Sequence, residues 1–169
     1  MIQILPKLDN YQELANRTVN RKLTDNEQLQ NFSFGLMNEV TELYISLENG
    51  NRDEVIDEFG DVMWYSANLL SELEIRFSKL EVFESIKAVP NVKLLGSAID
   101  ISECAKKHFY QGHPLDVVQF TLLIEFFVAV LFAIAETYNI NIEEVLKKNQ
   151  EKLLKRYPEG FDKSKSINR

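Results

Sequence analysis

The stretch DNEQLQNFSFGLMNEVTELYISLENGNRDEVIDEFGDVMWYSANLLSEL, residues 25–73, decides how this chain folds. Its apolar residues Leu36, Val40, Leu43 and Leu47 recur at spacings of four, three and four. That alternation puts them on one stripe of an α-helix. Gly50 and Asn51 then give a stop signal. After Arg52 a second stripe runs through Val55, Phe59, Val62, Ser66, Leu69 and Leu73 with the same alternation. Two antiparallel helices joined by a short turn follow, a first hairpin over about 25–76.

Outward from this hairpin the chain continues to read as helix. Asn91–Tyr110 predicts a helix that ends around Gly112 and Pro114, and Val117–Ala135 a long apolar one. Together they make a second hairpin over about 91–138. A closing amphipathic helix covers 142–156 and stops at Pro158, while Tyr11–Val19 predicts another at the start. A shorter helix is expected over Lys79–Ala88 and a frayed polar tail over KSKSINR, residues 163–169. The hairpins resemble each other: Glu58–Ile75 falls without gaps on Leu123–Ile140, and Glu39-x-x-Glu42 falls on Asp100-x-x-Glu103 once a four-residue gap is placed between the helices. An internally duplicated hairpin is one account of this, and chance likeness between helical hairpins the other.

Composition agrees with a single all-α domain spanning 1–169. Six Gly and four Pro in 169 residues leave little material for a turn-rich β fold, while 45% apolar residues can fill a helical core. The net charge of −7 argues against nucleic acid or anionic lipid as the main partner. Cys104 stands alone, so no intrachain disulfide and no Cys-rich zinc site is expected, and a reducing cytoplasm fits. The opening MIQILPKLDN lacks signal-peptide features. Residues 117–135 are long enough to cross a bilayer, but Gln119 and Glu125 interrupt them, and the centre of a bundle needs the same composition. No membrane partner is expected.

Residues three apart on a helix share a face. Glu39 and Glu42 therefore project together, as do Glu58 and Asp61, each pair beside a core stripe. An antiparallel hairpin can bring the pairs face to face, where hard divalent cations with oxygen ligands would relieve their repulsion. Acidic residues on helices are also ordinary solvated surface, and Asp53, Glu54 and Asp57 read that way. Spacing alone does not choose. His108 and His113 read as helix-end or loop residues.

FGLMNEVTEL (34–43) followed by VIDEFGDVMWY (55–65) resembles the E-x-x-E … E-x-x-D signature of MazG-like nucleotide pyrophosphohydrolases. These belong to the all-α NTP pyrophosphatase superfamily, which also contains the dimeric dUTPases. Asn149-x-x-Lys152-(x)₃-Arg156-Tyr157-Pro158-x-Gly160-Phe161 is similar to the family's closing segment, and Tyr11–Thr18 to the start of its short members. The resemblance implies a helical bundle of that type, and Mg²⁺ (with Mn²⁺ as a possible substitute) held by Glu39, Glu42, Glu58 and Asp61. It implies hydrolysis of a nucleoside triphosphate to monophosphate and pyrophosphate, with Glu39 or Glu42 taking the proton of the attacking water.

Lys152 and Arg156, four apart on one face of the closing helix, would meet the phosphates, with Asn149 and Tyr157 beside them. Tyr65 and Asn68 follow Asp61 by four and seven and could line the nucleotide pocket; Trp64 could stack on a base or simply pack. A homo-oligomer, dimer or tetramer, is implied as well. Two departures stand out. Asn38 occupies a place where many relatives carry an extra Glu. KKHFYQGHPLD (106–116) resembles the segment that single-copy relatives place between the two motifs, so the next E-x-x-D would land on Leu123 and Phe126, which are apolar. The second copy would then keep only Asp100 and Glu103, leaving one working site per chain. A dUTP-selective enzyme and a non-catalytic binding or regulatory protein on the same fold are the alternatives.

Overall fold

A computed structural model describes residues 4–80, 86 and 89–167. Among these the chain forms α1 (Leu5–Asn16), α2 (Asp25–Asn49), α3 (Arg52–Glu72), a 3₁₀ turn (Phe77–Lys79), α4 (Val92–Gln111), α5 (Val117–Thr137), α6 (Ile142–Arg156) and α7 (Lys163–Ile167), with no strand. The all-α class expected from the sequence is the one observed.

Local chemistry sets the helix ends. The Thr24 hydroxyl accepts from the Glu27 N–H while the Glu27 carboxylate accepts from the Thr24 N–H at 2.8 Å, a reciprocal cap that starts α2. Gly50 closes α2 in the left-handed region at φ 72°, and Asn51 opens α3 by accepting from the Asp53 N–H at 3.2 Å. The reversal therefore takes two residues and forces α2 and α3 to pack antiparallel. Asp116 and Asn141 start α5 and α6 in the same way.

α2 packs against both α3 and α4, and α4 packs in turn against α5; α1 and α6 lie against α3. The predicted stripes face inward: Leu36, Val40, Leu43 and Leu47 of α2 and Val55, Phe59, Val62 and Leu69 of α3 are all buried in one core cluster. Each such side chain contributes about 1.5–3 kcal/mol on leaving water. Every residue from Phe127 to Ala135 on α5 is buried. α5 has the length and composition of a membrane span, but it serves as a core helix, which fits a soluble protein.

Three boundaries differ from expectation. α1 runs Leu5–Asn16 rather than 11–19, because Pro6 suits a first helical turn and the Thr18 hydroxyl folds back onto the Ala15 carbonyl at 2.7 Å. No helix begins at Lys79: that residue ends a 3₁₀ turn and Leu80 is extended (φ −69°, ψ 134°). Residues 81–85, 87 and 88 of the expected helix lie outside the described residues. The tail is helical over Lys163–Ile167, where the Asp162 carboxylate accepts from the Ser164 N–H at 2.9 Å and hydroxyl at 2.7 Å.

Candidate functional site

The α2–α3 hairpin brings carboxylate oxygens of Glu39, Glu58 and Asp61 within 4.8 Å of one another. Glu39 is buried, and Glu58 and Asp61 are half-buried. Glu42 does not join this cluster. Three residues advance a helix by about 300°, which leaves Glu42 about 60° farther from the α2 core stripe than Glu39. It is exposed and accepts from the Asn38 amide at 2.9 Å. On α3 the same step carries Asp61 under α6 instead of into solvent, so the expected four-carboxylate set becomes three converging acids with Glu42 beside them.

α6 supplies the partners of Asp61. The Asn149 amide donates to its Oδ1 at 3.1 Å, and the Lys152 ammonium donates to its Oδ2 at 2.8 Å and to Asp57 Oδ1 at 2.7 Å. Behind Asn149, the Tyr11 hydroxyl of α1 donates to Asn149 Oδ1 at 2.7 Å and lies 3.4 Å from the Gly60 carbonyl oxygen. α6 comes this close to α3 because residue 60 is glycine: a Cβ there would sit 2.9 Å from both Cβ and Nδ2 of Asn149.

The electrostatics of the cluster are set first by burial. Partial burial, then the charges of Asp61, Glu42 and Asp57, push Glu58 up to about 7 against a weaker opposing pull from Lys152. Burial also raises Asp61, outweighing Lys152. Burial works against the Lys152 ammonium, yet Asp61 and Asp57 hold its pKa above the usual lysine range. The Tyr11 phenol is raised by full burial and then by Asp61. A donor set made only of carboxylate oxygens, with one ammonium among several acids, fits a hard divalent cation.

Beside the cluster lies a cleft of about 470 Å³. Glu39, Asp57 and Asp61 line it together with Lys152, which binds the last two, and with Arg156, while Phe32, Trp64 and Tyr65 form an aromatic wall. The wall is fixed: Trp64 stands edge-on to Phe32 (centroids 5.7 Å apart) and to Tyr65 (4.8 Å), and its indole N–H donates to the Thr18 hydroxyl at 2.8 Å. Tyr157 is buried at the cleft margin with Phe161 against its ring.

Of the residues singled out from sequence, Glu39, Asp61, Tyr65, Lys152, Arg156 and Tyr157 line this cleft, and Glu58 joins the acidic cluster beside it. Asn149 is buried beneath Asp61 rather than open to the cleft. Asn68 does not reach it: fully buried, it donates to the Trp64 carbonyl at 2.9 Å and accepts from the Asn16 amide at 3.4 Å. Asp57, read as solvated surface, is exposed and also binds Lys152; its place four residues before Asp61 was the available signal. Phe32, seven before Glu39, was findable in the same way. Tyr11 and Thr18 delimit the stretch that resembles the start of short family members, but nothing local told of their contacts, since their partners lie 138 and 46 positions away.

The second hairpin has no such acidic group among the described residues. Asp100 is exposed, Glu103 pairs with Lys106 and Lys107 of its own helix, and Leu123 and Phe126 pack against the core. His108 and His113 meet at the end of α4, Nδ1 of the first lying 2.9 Å from the carbonyl oxygen of the second.

No protein-family model matches the sequence, and no match to it was found among curated proteins or solved structures.

Proposed function

We propose that this chain is a Mg²⁺-dependent nucleoside triphosphate pyrophosphohydrolase, converting (d)NTP and water to (d)NMP and pyrophosphate in the cytoplasm. The supporting observation is the convergence of Glu39, Glu58 and Asp61 beside a cleft that Glu39 and Asp61 line together with Lys152, Arg156 and three aromatic rings. Glu39, Glu58 and Asp61 would hold Mg²⁺, or Mn²⁺ in its place. Bound there, the cation offsets charge on the phosphate oxygens and makes water more acidic.

The chain's own residues do the rest. Arg156 presents its planar fork to the phosphates and Lys152 a point charge. Trp64 and Tyr65 confine the nucleoside. Glu42, outside the acidic cluster but close enough to raise Glu58, takes the proton of the attacking water. The water oxygen bonds to the α-phosphorus, the bond to the bridging oxygen breaks, and pyrophosphate leaves.

One observation favours a second reading. Lys152 already bridges Asp57 and Asp61, so its charge is committed within the chain, which favours a non-catalytic binding or regulatory protein on the same fold. A panel of the common NTPs and dNTPs, with and without Mg²⁺ and with products separated, decides between them. The proposal expects monophosphate plus pyrophosphate only with the cation. Glu58→Gln and Asp61→Asn should then abolish turnover while the helical circular dichroism stays. No hydrolysis of any nucleotide would establish the binding module, and a strong preference for dUTP would narrow the enzyme to a dUTP pyrophosphatase.

A further inference from the structure

We infer that Tyr11 is a positioning residue for the acidic cluster, acting through Asn149 on Asp61; this rests on the cation-binding reading above. The hydroxyl of Tyr11 has one proton, and the 2.7 Å contact to Asn149 Oδ1 is where it goes. With Oδ1 so engaged, the Asn149 amide N–H faces Asp61 Oδ1 at 3.1 Å. Lys152 takes the other carboxylate oxygen at 2.8 Å. Both oxygens of Asp61 are thus held from α6, and the holder on one side is itself anchored from α1.

Burial makes the arrangement directional. Tyr11 is fully buried and Asn149 nearly so, leaving no water to replace either partner. Gly60 closes the space further, because Asn149 lies against the α3 backbone where any side chain would collide. The amide is confined: its carbonyl oxygen accepts from Tyr11, and one of its two N–H donors goes to Asp61. Outer partners of this kind orient metal-binding side chains, and losing one typically costs 10–100-fold in metal affinity, on the order seen across such sites. Nothing in the spacing of the acidic motifs points to Tyr11, since the link is made only when α1, α3 and α6 pack together.

The test is calorimetric titration of the folded full-length protein with Mn²⁺, comparing wild type, Tyr11→Phe, Asn149→Leu and the double variant. Tyr11→Phe keeps the ring and removes only the hydroxyl. The inference expects Mn²⁺ affinity to fall about tenfold or more in each single variant. In the double variant, Tyr11→Phe should add nothing to the loss already caused by Asn149→Leu, because the two act in series. A purely structural tyrosine would lower the melting temperature and leave affinity unchanged, or add its loss independently; either result overturns the inference. Should Tyr11→Phe fail to fold, Asn149→Leu alone decides, unchanged affinity refuting the relay. If the wild type itself takes up no Mn²⁺, the cation-binding reading fails, and the relay with it; if only the variants match wild type, the relay fails and that reading stands.

Discussion

At the scale of single residues, the acids of the cluster are separated by what surrounds them. Glu58 titrates near 7 because burial and its acidic neighbours penalise its charge. In the cation-free protein its stabilising contribution is complete below about 4.5, the ordinary value, and is lost as pH rises through about 7. Asp61, also raised, acts with the same sign. The melting temperature of the cation-free protein should therefore fall between pH 5 and pH 7.5 in thermal scans, and Glu58→Gln should flatten that fall. A slope unchanged in the variant would show that Glu58 is not the group responsible. Glu42 gives a second contrast. Standing outside the cluster, it should be dispensable for cation binding and needed for turnover: Glu42→Gln keeps Mn²⁺ affinity within a few-fold while kcat drops about 10²–10⁴-fold. Loss of both together would make Glu42 a ligand after all.

At the scale of elements, the site depends on how closely α6 approaches α3. Replacing glycine by alanine within a helix ordinarily stabilises it by about 1 kcal/mol. At Gly60 the sign should reverse, because the new methyl would lie 2.9 Å from the Asn149 Cβ, which cannot swing away. Gly60→Ala should cost about 1–3 kcal/mol in denaturant titrations and weaken cation uptake as α6 moves off. A stabilised variant would show that the approach is looser than described. The same scale explains what the sequence made legible. α2, α3 and α6 could be read because their stripes and caps are local, recurring every three or four residues. The pairing of Glu39 with Glu58 and Asp61 followed from that periodicity and the short turn at Gly50. The differing fates of Glu42 and Asp61 could not be read, since both end the same three-residue step and only the position of α6 distinguishes them. Asn68 misled for a related reason: it shares Asp61's face two turns on, where α1 covers it.

At the scale of the whole molecule, a protein of net charge −7 is expected to bind a polyanion only where cations gather. Lys152 and Arg156 gather in the cleft, so activity should fall with rising ionic strength less steeply than for a surface site. We further propose a homo-oligomer, supported by exposed Val118 and Leu122 on α5. Sedimentation should give a dimer or tetramer mass, and a monomer at all concentrations would refute it. The most direct measurement is the anomalous scattering of Mn²⁺ soaked into crystals of the wild-type protein. A peak among Glu39, Glu58 and Asp61, absent from Asp61→Asn crystals of the same form, is the predicted result. An empty cluster at saturating Mn²⁺, or a peak confined to other residues, would contradict the account.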